Sequence, residues 1–516
     1  MPITKLQRVI AAAVLVATSL TMGDAGGAGI TTHRWMAETA LDQVSDSALE
    51  ALLQQNLTMV QTGAGFPDVG YVASNTYGET AHWQRFHDHL IDAIRARPDC
   101  GDLTDPSGPC APLIAFTFGV AAHGMGDEVW DWLFEPNGPD HDEYWTGVPT
   151  ANDDGAETQM DIVAIGRYGV ARPEAGTVPD EALVLQAFVD SGQSGVTGDQ
   201  FALVPSLPML WDVEKGWADE HLAEVEAAMP WMSEHLVTAP GGVDFAATAI
   251  AGYWESLWGR LLGDQPATRV SITYPAPGET DVPVTGWDRD SFQPGSGHGR
   301  GGARNRIAAV LTSARPYEGA SGGVAVADTL PVDSMTITDV ATGEPVPLKS
   351  SYPRSVPYGS NAGEHVIDTQ PAANLSTCTW YRVDVSVTGA VVDARGEAVT
   401  PYSWRFRTEC DGTETTTTTS TTTTTPTTTT PTSTTTVADS TMPGSTMPGS
   451  TMPPATTGPG TTVPATSVPP TTVPMTTVPP TTGHGPEPPG ATAMDPAPSG
   501  VAPSATAVEG RPAYTG

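Results

Sequence analysis

The sequence predicts a multidomain chain: an all-α domain, then an all-β domain, then a disordered Thr/Pro-rich tail. Three changes of pattern along its 516 residues carry this prediction. Apolar residues recur at three- and four-residue spacing over 28–265, which indicates helices. Short alternating runs between Gly and Pro turns follow over 266–411 and indicate strands. Residues 412–516 show no apolar periodicity, so they cannot build a core.

Residues 1–27 are predicted to be a secretory signal peptide. Lys5 and Arg8 precede the apolar run Val9–Leu20, and small residues follow it. This run is too short to cross a bilayer as a helix, and no later segment qualifies as a membrane span. We therefore expect a bacterial protein that is secreted or associated with the cell surface.

Six helices are predicted in the all-α domain. Thr32 and Thr80 are predicted to be N-caps, because a hydroxyl can accept a hydrogen bond from an unpaired backbone N–H at a helix start. Turn-rich segments, of which 98–110 is the clearest, separate the helices. The predicted helices cover 34–53, 83–96, 111–134, 156–168, 217–236 and 243–262.

The all-β domain and the tail follow. Residues 286–306, rich in Gly, Arg and Ser, are predicted to be a mobile insertion. In the tail, proline favours extended polyproline II, which predicts a semi-rigid stalk with hydroxyls suited to O-glycosylation. We expect association with the cell wall through this stalk. The predicted strands of the all-β domain cover 269–274, 333–339, 380–388 and 402–408.

Four cysteines in an exported chain predict two disulfides. Cys100–Cys110 would close a short loop, and Cys378–Cys410 would link two late strands of the all-β domain. The alternative pairings would bridge the two domains.

The formal net charge of −36 at pH 7 bears on the choice of partner. Binding to nucleic acid phosphates needs clustered Lys and Arg, so no nucleic acid partner is expected. Electrostatic docking on an anionic membrane is disfavoured for the same reason.

Candidate metal ligands are scattered over the first third of the chain. They include His33, His82, and the pair His123 and Asp127. A His and an Asp four residues apart share one face of a helix. Their helix is otherwise apolar, so it would have to bury both side chains unless they bind something. Three histidines with carboxylates suit zinc.

Several segments resemble motifs of the zinc-dependent phospholipase C family, and most closely the amino-terminal domain of glycosylphosphatidylinositol-specific phospholipase D. The resemblance spans 28 to about 260. It implies an α-helical bundle that holds two or three zinc ions from within. The segments are AlaGlyIleThrThrHis (28–33), AlaGlyPheProAsp (64–68), AlaHisTrp (81–83) after Thr80, and the apolar run 113–127 that ends in His-x-x-x-Asp.

The resemblance implies eight metal ligands, and it implies that one of them, Asp68, is also the catalytic base. Relatives usually carry histidine where this chain has Asp131 and Glu157. Carboxylates make a site harder and more anionic, which could favour calcium, magnesium or manganese at one position. The implied ligands are His33, Asp68, His82, His123, Asp127, Asp131, Glu157 and Asp161.

Several other side chains near these motifs are not predicted to be metal ligands. His87 and His89 are expected to be solvated. Five aromatic residues could form a wall for a choline headgroup through cation–π contact, or could pack in the core. They are Trp83, Trp130, Trp132, Tyr144 and Trp145.

The all-β domain resembles the bacterial Ig-like repeats of surface-layer proteins and secreted enzymes. The resemblance is carried by ProAlaProGlyGluThrAspValProVal (275–284) and by the AspAlaArgGlyGlu turn (393–397). It implies an Ig-like sandwich that serves as a spacer or attachment domain.

The implied function is a secreted metal-dependent phosphodiesterase of phospholipase C or D type, acting on phospholipid or a related lipid-linked phosphodiester. Two alternatives stay open. The carboxylates at Asp131 and Glu157 favour a catalytically degenerate metal-binding adhesin, displayed on the Ig-like spacer and stalk. Zinc nucleases share this kind of cluster, although the acidic composition disfavours a polynucleotide substrate.

Overall fold

A computed structural model shows a helical region followed by small antiparallel sheets, which confirms the predicted order of helices and strands. The predicted signal peptide 1–27, insertion 286–306 and tail 412–516 lie outside the described residues. The structure describes residues 29–71, 77–138, 142, 156–264, 266–284, 307–312, 335–348, 365–385 and 399–410.

The helical region is built from short and long α-helices around one buried helix, α7. A π-helical turn (Trp130–Phe134) and a 3₁₀ turn (Glu135–Asn137) extend α7, and a 3₁₀ segment (Gly198–Ser206) leads into α10. The α-helices of the described residues are α1 (Ile30–Leu41), α2 (Ser47–Gln55), α3 (Leu57–Ala64), α4 (Phe66–Val69), α5 (Gly78–Ala81), α6 (Gln84–Arg95), α7 (Ala111–Val129), α8 (Glu157–Gly166), α9 (Glu181–Asp190), α10 (Leu207–Ala228), α11 (Pro230–His235) and α12 (Val243–Leu262).

The structure corrects the predicted starts of several helices near the beginning of the chain. The single helix predicted over 34–53 is two helices, and the side chain of Asp46 caps the second by accepting from the N–H groups of Ala48 and Leu49. Thr32 and Thr80 are not N-caps, because they lie inside α1 and α5.

Helix α7 occupies the centre of the helical region. Nearly all of its residues are buried, and it packs against α3, α12, α1 and α6. Two glycines permit the close crossing with α3. A Cβ on Gly63 would lie 2.1 Å from the carbonyl oxygen of Phe116, and one on Gly119 would lie 2.2 Å from that of Val60. Any polar side chain that α7 carries must therefore find partners inside the protein.

The strands form two three-stranded antiparallel sheets, in the orders β1-β2-β4 and β3-β5-β6. The last helix and the first strand lie on either side of the predicted domain boundary at 265–266. Strands β2 and β4 were not predicted, and the described strands do not establish an Ig-like topology. The strands are β1 (Arg269–Tyr274), β2 (Ile307–Thr312), β3 (Met335–Asp339), β4 (Val366–Thr369), β5 (Trp380–Val385) and β6 (Tyr402–Arg407).

Strands β2 and β4 of the first sheet contribute residues to two hydrophobic cores. Ala308, Val310 and Val366 belong to the hydrophobic core of the helical region. Leu311 and Ile367, from the same two strands, belong to a second core that the other sheet completes. The helices therefore share a core with the β region.

Both predicted disulfides are confirmed. Cys100 and Cys110 are bonded at the start of α7, and Cys378 and Cys410 join the segments that flank β5 and β6.

Candidate metal centre

Five of the eight predicted ligands converge in one buried group, which we call the metal cluster. His33 comes from α1, Asp68 from α4, and His82 from the residue that follows α5. His123 and Asp127 come from α7. The side chain of Asp68 is 17% exposed, and the other four are exposed by 4% or less.

The backbone fixes the two central imidazoles. Nδ1 of His82 lies 2.7 Å from the carbonyl oxygen of Gly78, and Nδ1 of His123 lies 2.7 Å from that of Ala64. A carbonyl can only accept, so each Nδ1 donates its hydrogen and each neutral ring keeps a lone pair on Nε2. The two Nε2 atoms lie 2.9 Å apart. Two lone pairs at this distance repel, so a proton or a metal ion must lie between them.

The donor atoms around this pair lie at distances close to the edges of a zinc coordination tetrahedron. Nε2 of His82 lies 3.0 Å from Oδ2 of Asp127 and 3.7 Å from Oδ1 of Asp68. Nε2 of His123 lies 3.3 Å from Oδ1 of Asp68 and 3.8 Å from Oδ2 of Asp127. A zinc tetrahedron with bonds of about 2.0–2.1 Å has edges of about 3.3–3.4 Å. The donors form two groups of three that share His123, one with His82 and Asp127 and the other with His33 and Asp68. Three protein ligands with an open fourth position are the pattern of a catalytic zinc site.

His33 extends the cluster on the other side of Asp127. Its Nε2 lies 2.8 Å from Oδ1 of Asp127, and its ring stacks on His123 with 3.7 Å between the ring centroids. In the described part of the chain, neither Nε2 of His33 nor Oδ1 of Asp127 has a hydrogen-bond partner of good geometry. Asp127 thus presents one oxygen to His82 and the other to His33, so its carboxylate can bridge two cations.

The electrostatics of the cluster favour bound positive charge. Burial opposes ionisation of Asp68, but the imidazoles of His123 and His82 hold its pKa far below the usual value. The pKa of Asp127 is low for the same reason, with His33 and His82 prevailing over burial. Burial also opposes a charge on His82, yet Asp127 and Asp68 raise its pKa well above the usual value. Two ionised carboxylates therefore face the imidazoles.

Gly124 brings the two halves of the cluster together. A Cβ at this position would lie 1.7 Å from the carbonyl oxygen of His82. Only glycine lets α7 lie this close to the backbone of the His82 segment. A larger residue would push His82 away from His123.

Asp161 lies at the N-terminus of α1 and not in the metal cluster. Its carboxylate accepts from the backbone N–H of Thr31 at 3.1 Å and from that of Thr32 at 2.7 Å. The hydroxyl of Thr32 also donates to it, at 2.7 Å. Burial, followed by the charge of Glu214, raises the pKa of Asp161. The carboxylate from α8 therefore supplies the cap that the sequence assigned to Thr32.

Replacing Asp161 by alanine is expected to destabilise the fold without removing metal. The substitution leaves two buried N–H groups of α1 without an acceptor, at a cost of roughly 1–3 kcal/mol each. Thermal unfolding and metal content, measured side by side, separate a cap from a ligand. Asp199→Ala, at an exposed position, is the control. Lost metal with unchanged stability would mean that Asp161 is a ligand.

Asp131 and Glu157 are not among the groups whose donor atoms lie within 4.8 Å of one another. Asp131 follows Asp127 by one turn, and its Oδ1 is buried without a hydrogen-bond partner in the described ranges. Burial, then the charges of Asp127 and Glu135, raises the pKa of Asp131 well above the usual value. Glu157 begins α8 and is half-buried.

Two aromatic side chains flank His82, and one of them was not predicted. The ring centroids of Tyr71 and Trp83 lie 5.5 Å and 6.2 Å from that of His82. Glu79 holds both, accepting from the Tyr71 hydroxyl at 3.1 Å and from the Trp83 indole N–H at 2.9 Å. Of the other predicted wall residues, Trp130 lies in the core. Tyr144, Trp145 and the side chain of Trp132 lie outside the described residues.

No protein-family model matches the sequence, and no curated protein matches it. In the described part of the chain, no helix is long and apolar enough to cross a membrane.

Two solved structures are similar at a low level. The first is the S-layer protein rSbsC(31–844), with 11% identity and a TM-score of 0.17, covering 72% of this chain and 46% of that one. This chain therefore spans less than half of that protein. The second is the N-terminal part of the bacterial S-layer protein SbsC, with 9% identity and a TM-score of 0.17, covering 70% and 79%. TM-scores this low carry no argument about fold or function.

Proposed function

We propose that this protein is a secreted metal-dependent phosphodiesterase of phospholipase C or D type, acting on phospholipid or a related lipid-linked phosphodiester. One observation carries the proposal. Nε2 of His82 and of His123 converge at 2.9 Å, and His123 belongs to two groups of three neighbouring donors, one with His82 and Asp127 and the other with His33 and Asp68. The resemblance of the motifs to zinc-dependent phospholipase C supplies the reaction class.

The residues of the metal cluster have different roles in the proposed reaction. A zinc ion bound there would lower the pKa of a bound water and polarise a phosphoryl oxygen. His82 and His123 bind as neutral donors, because the carbonyls of Gly78 and Ala64 hold their Nδ1 hydrogens. Asp68 is the most exposed member of the cluster, so its carboxylate is the one placed to accept a proton from an attacking water.

The surroundings of His82 support a cationic headgroup on the substrate. Tyr71 and Trp83 present aromatic rings near His82, and Glu79 holds both and adds a negative charge. Aromatic rings next to a carboxylate suit a quaternary ammonium group through cation–π and ionic attraction. Choline is the headgroup that we expect.

A hydrolysis screen tests the proposed function. The full mature chain, loaded with zinc, is offered phosphatidylcholine vesicles and single-stranded DNA in parallel. We expect hydrolysis of the lipid, loss of activity with a chelator and recovery with zinc. His123→Ala is the matched variant that should stay inactive after zinc is restored. Hydrolysis of DNA alone would instead favour the nuclease alternative.

A second function, a metal-binding surface adhesin, is favoured by one observation. Asp161 is engaged by the N-terminus of α1, and Glu157 lies outside the groups of neighbouring donors. Two of the eight implied ligands therefore lie apart from the metal cluster in the described structure. A protein that binds zinc but hydrolyses neither substrate in the screen would support this alternative.

We further propose that the β region is an Ig-like module and that residues 412–516 form a surface-attached stalk. Limited proteolysis of unglycosylated protein is expected to leave a stable fragment that ends near Cys410. The disulfide from Cys410 to Cys378 closes the β region at that point, whereas Thr/Pro-rich chain lacks the apolar residues of a core. Mass spectrometry identifies the fragment end. A protease-resistant tail would contradict the stalk.

A further inference from the structure

The start of β4 contacts α7 one residue beyond a metal ligand. Oε1 of Glu128 accepts from the backbone N–H groups of His365 and Val366, both at 2.6 Å. Glu128 is buried, and a buried carboxylate is strongly disfavoured without such donors. These two hydrogen bonds hold the turn of α7 that carries Asp127.

A second series of contacts connects the start of β4 with His82. The ring of His365 packs on that of Tyr253, with 4.7 Å between centroids. The Tyr253 hydroxyl lies 3.1 Å from Nδ1 of His87, and Nε2 of His87 lies 3.0 Å from the carbonyl oxygen of Ala81. Because a carbonyl only accepts, Nε2 of His87 donates to Ala81 and Nδ1 accepts from the hydroxyl. Ala81 directly precedes His82.

This network also corrects a prediction. His87 was expected to be solvated, but it is buried, and burial lowers its pKa to about 3. A neutral His87 can accept at Nδ1 while donating at Nε2, as the observed contacts require.

The segment that begins both series of contacts is itself held in place by β2. The backbone N–H of Leu311 donates to the carbonyl oxygen of His365 at 2.7 Å. Nδ1 of His365 lies 2.9 Å from the carbonyl oxygen of Leu311 and donates to it. The segment 365–366 therefore belongs to the sheet, and through Glu128 and Tyr253 it reaches two ligand-bearing segments of the helical region.

We propose that segment 365–366 positions the metal ligands Asp127 and His82, with Glu128 and Tyr253 as the positioning residues. The inference rests on the proposed metal-dependent function. In this account the β region helps to position the metal ligands and does not serve only as a spacer. Partners behind metal ligands typically change metal affinity by about 10–100-fold when they are removed.

Zinc affinity of the full-length protein tests this inference, measured by competition with a chromophoric chelator. Glu128→Ala is expected to weaken zinc binding by about 10–100-fold, and Tyr253→Phe by about tenfold. Glu128→Gln keeps an oxygen that accepts the same two N–H groups, so it should stay near the wild-type affinity. Glu220→Ala, at an exposed position on α10, should change nothing.

The melting temperature of each metal-free variant separates positioning from general stability. Weaker zinc binding by Tyr253→Phe, with a metal-free melting temperature close to wild type, supports positioning even if Glu128→Ala fails to fold. Wild-type zinc affinity in folded Glu128→Ala or in Tyr253→Phe would overturn the inference and leave the proposed function intact. A wild-type protein that binds no zinc would overturn both.

Discussion

Asp127→Asn is expected to abolish zinc binding and hydrolysis together. Asp127 faces His82 with one oxygen at 3.0 Å and His33 with the other at 2.8 Å. The amide removes the charge and turns an NH₂ group toward one of these imidazoles, where a metal ion would otherwise lie. We expect zinc affinity to fall by more than about 100-fold, the upper limit for residues that only support a ligand.

A zinc titration and the rate on a phosphodiester substrate check this prediction. Asp199→Asn makes the same chemical change at an exposed position and should leave both quantities unchanged. An Asp127→Asn protein that binds zinc with wild-type affinity would remove Asp127 from the site.

Asp68→Asn is expected to lower kcat by at least about 100-fold, because general-base contributions are typically about 10²–10⁴-fold. Asp68 lies 3.3 Å from Nε2 of His123 and keeps contact with solvent. Its segment is a short helix with Pro67 at its start, and this rigid start aims the carboxylate.

Metal content separates the two roles open to Asp68. Retained zinc with a lost rate identifies a proton acceptor, and lost zinc identifies a ligand. If Asp68→Asn keeps both zinc and the wild-type rate, the residue only forms the turn.

The sequence predicted two of the longer helices well but misplaced the longest, because the single helix predicted over 217–236 is α10, which begins at Leu207, followed by α11 from Pro230. The prediction of 243–262 coincides with α12, and that of 83–96 lies within a residue of α6 at each end. Each of these two helices buries one side, so its apolar residues follow the helical period. The start of α1 was misplaced because its cap, Asp161, comes from a helix far along the chain.

Strand β2, one of the two strands that were not predicted, was missed for a physical reason. Strand β2 lies between β1 and β4, and all six of its residues, Ile307–Thr312, are buried. A strand buried on both faces lacks the alternation that marks a strand with one face in water. By contrast, β5 alternates between exposed and buried positions, and the sequence predicted it.

In the candidate site too, some residues could be predicted from the sequence and others could not. His33, His82 and His123 could be predicted as ligands because they lie in short motifs with a recognisable spacing and a family resemblance. The residues behind the site, Glu128 and Tyr253, carry no such signal. Glu128 finds its partner 237 positions away in the sequence, so only the fold reveals the contact.

The zinc content of the full-length protein, purified without chelator and measured by elemental analysis, tests most directly whether the metal cluster binds zinc. The metal cluster holds two groups of three neighbouring donors that share His123, and three protein ligands suffice for a zinc ion with an open fourth position. We predict about one zinc ion or more per chain in the wild type, and little or none in His123→Ala, because His123 contributes to both groups of donor atoms. Zinc well below one ion per chain after incubation with zinc, or equal zinc in both proteins, would contradict the metal centre.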